Sequence, residues 1–344
     1  MAGCSGKGPD VVDPESLMRR HVSILATDVG GGNAELLRFS EQNGIVTTSD
    51  FASNNNGELL DRLVEGIYDY SDRLYLHHPV DGTITVVNMQ TRRKLGQIGG
   101  FPFGVEGKLL SMAFSNLSQA WVVCDGNPKL YEVDQQNMRI AHTLQLPAAP
   151  TSVGTVGSKV FVGMRSADST SKGGRVAVLS SNASGLAIEQ TLEFPSPIIY
   201  IFPAFDNTRC VMLSSGDEGS APKLYHVDMS TFQVVDEYEI LSPGLRNYIG
   251  MQPNFVGHTG EDYLYLSIPS AVIQIDVKLF SEREWITGYH PIIGVDYASG
   301  LLYAYDPAGN IMRRRTFEDE ELAEVSLPAP VKAIKLLGSN RVIR

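Results

Sequence analysis

The chain has 344 residues and a formal net charge of -11, with 43% hydrophobic and 19% charged residues. This composition can fill a large buried core, and it excludes a disordered chain and a highly charged helical rod. Because binding to a phosphate backbone depends on Lys and Arg, the acidic balance argues against a nucleic acid partner. No apolar run approaches the roughly 18 residues that a membrane-spanning helix needs.

The first residues of the chain read MAGCSGKGPDVVDPES. A small-small-Cys triplet ahead of a polar tether resembles the cleavage box of bacterial lipoproteins, in which a lipid-modified cysteine becomes the first residue. We therefore expect residues 1–20 to be a flexible tether with Cys4 as its lipid anchor. The protein would then be a bacterial cell-envelope lipoprotein, outer-membrane-anchored or periplasmic. The alternative is a plain flexible N-terminus with a chance cysteine.

A five-residue β-rich unit recurs along the chain. The units end at Ser40, Asn88, Asp134, Ser180, Asp228, Asp276 and, in a degenerate form, Arg315. Successive ends are 48, 46, 46, 48, 48 and 39 residues apart, which is a period typical of repeat architectures. A second β-rich run precedes each unit, as RLYLHH (73–78) does in the second repeat, so the sequence predicts seven antiparallel hairpins.

Each hairpin is flanked by two further extended segments. The Asn, Asp or Ser that ends a unit predicts a turn, because such side chains bond nearby backbone groups. A third strand follows the turn, as in RKLGQI (93–98), and a fourth precedes each hairpin, as in LVEGIYDY (63–70). Four short strands per repeat with few helical signals predict an all-β fold, a seven-bladed β-propeller with four-stranded antiparallel blades.

This propeller is predicted to be a single domain over residues 21–344. The terminal VKAIKLL (331–337) matches an innermost strand. We therefore expect the C-terminus to complete the blade that the N-terminal strands begin, so that the two ends close the ring. RVIR (341–344) is left over, either as a short extra strand or as a sign that the seam is miscounted.

The second repeat, DGTITVVNMQTRRKLGQI (81–98), resembles the YVTN-type propeller repeat. Gly82 precedes the strand, Val86, Val87 and Asn88 stand for its usual hydrophobic-hydrophobic-Asp ending, and Thr91 follows. With the lipoprotein-like start, the chain resembles surface-exposed binding propellers of Bacteroidetes, which include cobalamin-capturing lipoproteins. The resemblance implies that a corrinoid is one candidate ligand.

Propeller topology predicts where a binding site would lie. The loop between the second and third strands of a blade leaves on the same face as the link to the next blade. Aromatic side chains among convergent polar groups on that face are typical of a site for a sizeable ligand or a partner. Each aromatic could instead fill a seam between blades. The predicted ligand-binding residues are His77, His78, Phe101, Phe103, Arg165, Tyr200, Arg246, Asn247, Tyr248, Tyr289 and His290.

A metal site is not predicted at the paired histidines. Adjacent residues of an extended chain point to opposite sides, so His77 and His78 cannot easily chelate one metal together. No catalytic residue, metal or cofactor is therefore predicted.

Three functions remain open at this stage. We favour a non-catalytic propeller that binds a small molecule or an outer-membrane protein partner. The first alternative is a lactonase-like hydrolase that uses His77, His78, His290 and Asp306 with a divalent metal. The second is a structural scaffold for protein–protein interaction, since propellers host unrelated functions.

Overall fold

The computed structural model describes residues 21–27, 34–40, 45–47, 51–60, 64, 66–78, 81–89, 91–102, 109–166, 173–182, 185–204, 208–216, 221–241, 256–258, 263–296, 301–316 and 320–336. Within these ranges the fold is all-β apart from one short helix, α1 (Phe51–Asn54). The strands, in chain order, are β1 (His21–Thr27), β2 (Ala34–Ser40), β3 (Ile45–Thr47), β4 (Gly66–Tyr70), β5 (Arg73–His78), β6 (Thr83–Asn88), β7 (Lys94–Ile98), β8 (Leu109–Phe114), β9 (Gln119–Cys124), β10 (Lys129–Asp134), β11 (Arg139–Gln145), β12 (Pro150–Val156), β13 (Lys159–Arg165), β14 (Gly174–Asn182), β15 (Gly185–Phe194), β16 (Ile198–Pro203), β17 (Arg209–Ser214), β18 (Lys223–Asp228), β19 (Val234–Glu239), β20 (Val256–His258), β21 (Tyr263–Ile268), β22 (Ala271–Asp276), β23 (Ser281–Thr287), β24 (Ile292–Asp296), β25 (Leu301–Asp306), β26 (Ile311–Thr316), β27 (Glu321–Ser326) and β28 (Val331–Leu336).

The strands from β4 to β27 form six blades, each a four-stranded antiparallel sheet of consecutive strands. In each blade the first strand is innermost, and the innermost strands of successive blades pack together, as β8, β12 and β16 do. The structure therefore confirms an all-β propeller with four-stranded antiparallel blades. The sequence predicts seven blades, whereas the structure shows six blades built from consecutive strands.

The remaining strands form a composite sheet in the order β28-β1-β2-β3. Strands β28 and β1 pair antiparallel from Val22 opposite Leu336 to Ala26 opposite Val331. Strand β28 also packs against β24 on one side and β4 on the other. Strands from both ends of the described chain thus share one sheet. The leftover segment 341–344 lies outside the described residues.

In four blades the turn between the third and fourth strands is built on the Asn or Asp that ends the repeat unit. The Asp228 carboxylate accepts backbone N–H bonds from Ser230 and Thr231, both at 2.9 Å. Asn88, Asp134 and Asp276 make the same kind of turn. Four residues after each of these positions the backbone is left-handed, with φ of 58° at Arg92, 51° at Met138, 54° at Phe232 and 52° at Phe280.

In two repeats, ring contacts show that the side chain of this left-handed residue packs against the preceding blade. The Phe232 ring meets the Phe161 ring of the preceding blade at 6.3 Å between centroids. The Phe280 ring stacks on Tyr238 of its own preceding blade at 5.6 Å. The turn therefore sets the outer end of these two seams, while buried apolar clusters fill the seams themselves.

Side-chain hydrogen bonds tie the innermost strands to one another. Thr151 and Ser152 of β12 donate to the Ile198 carbonyl of β16 at 2.6 and 2.8 Å. Lys332 of β28 donates to the Val64 carbonyl ahead of β4 at 2.8 Å. Because the unpaired edge of an innermost strand lacks a ladder partner, these bonds satisfy carbonyls there and fix neighbouring blades in register.

Candidate functional site

Strand pairing brings the predicted loops to one edge of the blades. The first residue of an innermost strand pairs near the end of the second strand, as Gly66 does with His77 and Ile292 with Tyr305. Loops that follow second strands therefore emerge beside the links that lead into innermost strands. We call this edge the loop face.

His77 and His78 are the last two residues of strand β5, and both are buried, at 6% and 7% exposure. The His78 ring nitrogen Nε2 shares a hydrogen bond of 2.8 Å with the Thr85 hydroxyl. Burial, and then the neighbouring His78, lower the pKa of His77 to about 4. The structure thus places a neutral His77 at the inner margin of the loop face rather than in an open loop.

Phe101 occupies the seam between two blades. It is 6% exposed, and its ring meets the Tyr131 ring edge-on at 5.7 Å between centroids. Both residues belong to the apolar cluster between the β4–β7 and β8–β11 blades. The seam-filling alternative therefore applies to Phe101. The other predicted residues Phe103, Arg246, Asn247, Tyr248 and the anchor Cys4 lie outside the described residues.

Tyr289 and His290 lie in the link between β23 and β24, and the structure separates their roles. Tyr289 is 50% exposed, whereas His290 is 2% exposed. The His290 ring nitrogens face the carbonyls of Tyr305 at 3.2 Å and Thr287 at 3.3 Å. His290 is therefore engaged by the backbone, and it holds the link so that Tyr289 is presented to solvent.

Arg165 and Tyr200 come from neighbouring blades. Arg165 ends β13 on the loop face and is exposed, and its backbone N–H donates to the Ala149 carbonyl at 2.9 Å. Tyr200 lies in the innermost strand β16 beside a β-bulge between Ile198 and Tyr200. It is partly buried. A bulge re-aims the side chains around it, so Tyr200 is offset from the regular alternation of its strand.

The sequence analysis missed two residues at the centre of the propeller, Tyr68 and Asp69 of the innermost strand β4. Burial, and then the Asp69 carboxylate, raise the pKa of Tyr200, which lies three blades further along the chain. Burial, then Cys124 and Tyr200, raise the pKa of Tyr68. The two phenols therefore remain protonated donors near a buried carboxylate. The available signal was the single acid in the otherwise apolar strand GIYDY (66–70).

The residues considered for a hydrolase are not assembled into one centre. The Asp306 carboxylate accepts the backbone N–H of Ala308 at 2.9 Å and lies 3.6 Å from the Arg313 guanidinium. His290 is held by backbone carbonyls, as described above. Within the described ranges, no three His, Cys, Asp or Glu side chains are grouped as a metal site would require. In the same ranges, none of the helices has the length and apolar character to span a membrane.

Solved structures share the fold at low sequence identity. Hydrazine synthase from Kuenenia stuttgartiensis aligns with a TM-score of 0.63 and 11% identity over 79% of this chain and 89% of that chain. Apo AztD from Citrobacter koseri aligns with a TM-score of 0.57 and 10% identity, and the alignment covers 92% of this chain and 98% of that chain. The dihydro-heme d1 dehydrogenase NirN, solved in complex with DHE, aligns with a TM-score of 0.59 and 11% identity. That alignment covers 91% of this chain and 64% of that chain.

At these identities the similarity shows the β-propeller fold alone. No protein-family model matches the sequence. No curated protein matches it significantly either.

Proposed function

We propose that this protein is a non-catalytic binding propeller. Its loop face captures a sizeable small molecule, such as a corrinoid, or docks on an outer-membrane protein. The observation that supports this proposal is the arrangement of the exposed Arg165 and Tyr289 at the loop face around a centre that holds Tyr68, Asp69 and Tyr200. Flat aromatic surface beside a few polar groups provides contact area and orientation for a ligand.

The finer architecture belongs to the same proposal. The composite sheet would act as a seventh blade that closes the ring, and the repeats would be of the YVTN type. The pairing of β1 with β28 and the bond from Lys332 to the Val64 carbonyl support closure. Cys4 would carry a lipid and hold the propeller at the bacterial envelope; the small-small-Cys triplet in the sequence supports this part.

The binding proposal is tested by a thermal-shift screen of the purified chain. The probes are cyanocobalamin, a glycan set, and calcium, zinc and manganese chlorides, because a compound that binds only the folded state raises the melting temperature. Any compound that shifts the wild type is then titrated against an Arg165→Ala/Tyr289→Ser double variant. We expect the shift to fall to that of a non-binding compound.

A matched control is available on the opposite edge of the blades. Arg139 and Leu279 are exposed, at 69% for the Arg139 side chain and 77% for Leu279. An Arg139→Ala/Leu279→Ser variant removes the same charge and a similar apolar area away from the loop face, so it should keep the full shift. Equal shifts in both double variants would reject the site. A shift produced by metal chlorides alone would favour the hydrolase instead.

A further inference from the structure

One cross-strand position recurs in the outer half of three blades and holds polar residues each time. It lies two residues before the turn Asp and faces a partner on the fourth strand. Glu132 pairs with His142, Gln274 with Arg283, and His226 with Asp236.

The first two of these pairs are bonded. His142 Nδ1 lies 2.9 Å from Glu132 Oε2, and Arg283 Nε donates to Gln274 Oε1 at 2.7 Å. Each third-strand side chain also has a second hydrogen bond, from Gln119 to Glu132 and from Gln274 to the Tyr265 hydroxyl, at 2.7 Å in both cases. The position therefore suits a polar side chain that turns toward the fourth strand.

His226 behaves differently at the same position. It is 5% exposed, and neither ring nitrogen makes a hydrogen bond of ordinary geometry. Its ring packs on Phe280 of the next blade at 4.9 Å between centroids, and Phe280 in turn stacks on Tyr238. The imidazole thus lies in the seam between the β16–β19 and β20–β23 blades as if it were an apolar residue.

Burial, more than the nearby charges, opposes the protonation of His226 in this position. Burial is the main cause that lowers its pKa, and Arg209 of the adjacent strand β17 adds to it. Asp236 of β19 and the Val277 backbone of the next blade act in the opposite direction. In that next blade, the Asp276 carboxylate accepts hydrogen bonds from the backbone N–H groups of Lys278 and Leu279 and stabilises its own turn.

We propose that His226 is a pH-responsive element of this seam. The neutral ring seals the seam against Phe280, and the protonated ring turns outward to pair with Asp236, as Glu132 and His142 already do in another blade. Because Phe280 then keeps its contact with Tyr238 but loses its contact with His226, the outer half of the seam loosens locally. This inference goes beyond the proposed function and does not depend on it.

Hydrogen exchange measured by mass spectrometry on the full chain at pH 7.5 and pH 5.5, corrected for intrinsic rates, tests the proposal. We expect peptides covering 224–240 and 277–287 to exchange faster at pH 5.5. The gain is up to about tenfold per pH unit below 6.5, since opening is linked to uptake of one proton. The equivalent peptide 130–145 should not respond.

Variants separate the roles of the two partners. His226→Phe should abolish the acid response. His226→Gln, which copies Gln274 at the equivalent position, provides the same test if the phenylalanine variant folds poorly. Asp236→Asn should move the response to lower pH, and His142→Gln should leave it unchanged. An acid response equal to wild type in the His226 variants, or one unaffected by Asp236→Asn, would overturn the proposal.

Discussion

Replacing Gly154 with alanine tests how closely the innermost strands approach one another. Gly154 lies in β12, and a Cβ added there would stand 2.7 Å from Cβ, Cγ2 and the carbonyl oxygen of Ile201 in β16. Carbon atoms in favourable contact are about 3.5–4.0 Å apart. The two strands must therefore separate, or Ile201 must leave its position in the seam.

The expected cost follows from two opposing terms. Overpacking a tight core costs about 1–3 kcal/mol. Replacing glycine with alanine recovers about 0.4–1 kcal/mol, because the unfolded chain has fewer conformations to lose. The atoms that the new methyl group meets include a backbone oxygen, which cannot rotate away, so we place the overpacking cost near its upper end. The free energy of unfolding should fall by about 2 kcal/mol net.

Urea unfolding followed by tryptophan fluorescence measures this change, since Trp121 and Trp285 are both buried. The matched control is Gly66→Ala in the innermost strand β4, where an added Cβ has no atom within 4 Å. That variant should be neutral or slightly stabilised. Equal unfolding midpoints for the two variants would refute the close packing of β12 on β16.

Three further predictions concern protonation and turn chemistry. The pKa of His77, about 4, is below the unfolded value of about 6.5, so the unfolded state binds the proton first. The free energy of unfolding should therefore fall by up to about 3 kcal/mol as the pH drops from 6.5 toward 4. His77→Leu should remove this fall from a plot of urea midpoint against pH. Identical plots for the wild type and the variant would contradict the prediction. Asp228→Ala should lower the melting temperature more than Asp228→Asn, which keeps one acceptor oxygen for the Ser230 and Thr231 N–H groups; an equal loss would show that the carboxylate charge is what matters. Burial raises the pKa of Cys124 to about 12, so its thiol should not react while the chain is folded. In a Cys4→Ala background we therefore expect essentially no labelling by a thiol reagent at pH 8 until urea unfolds the chain. Rapid labelling of the folded state would disprove this.

The repeat was readable from the sequence because its signals are local. Period-two runs, and the Asp or Asn that ends four of the seven units, act within a few residues. The helix α1 was missed for the opposite reason. Its segment is rich in Asn, a residue that favours turns over helices. The fold there depends on Asn55, whose side chain bonds the Arg92 carbonyl and the Lys94 N–H, both at 2.7 Å. No pattern within 51–58 reveals those distant partners.

The candidate site was harder to predict because it depends on side-chain direction. Whether a residue beside a loop faces a seam or the loop face changes with a shift of one position along the strand. Phe101 and Tyr289 both follow a fourth strand in links of similar composition, yet one is 6% and the other 50% exposed. The electrostatic effect of Asp69 on Tyr200 depends on the order of the blades in space, which a single repeat cannot encode.

The left-handed turn position suggests how one repeated motif makes its seams distinct. Met138, Phe232 and Phe280 place apolar side chains there, but the blade that packs against the composite sheet has Arg92, which is fully buried. A buried guanidinium is tolerated only where polar groups meet its charge, and removing those groups is costly. The same turn position therefore carries apolar side chains in three blades and a buried cation in a fourth, so one turn geometry gives seams of different chemistry.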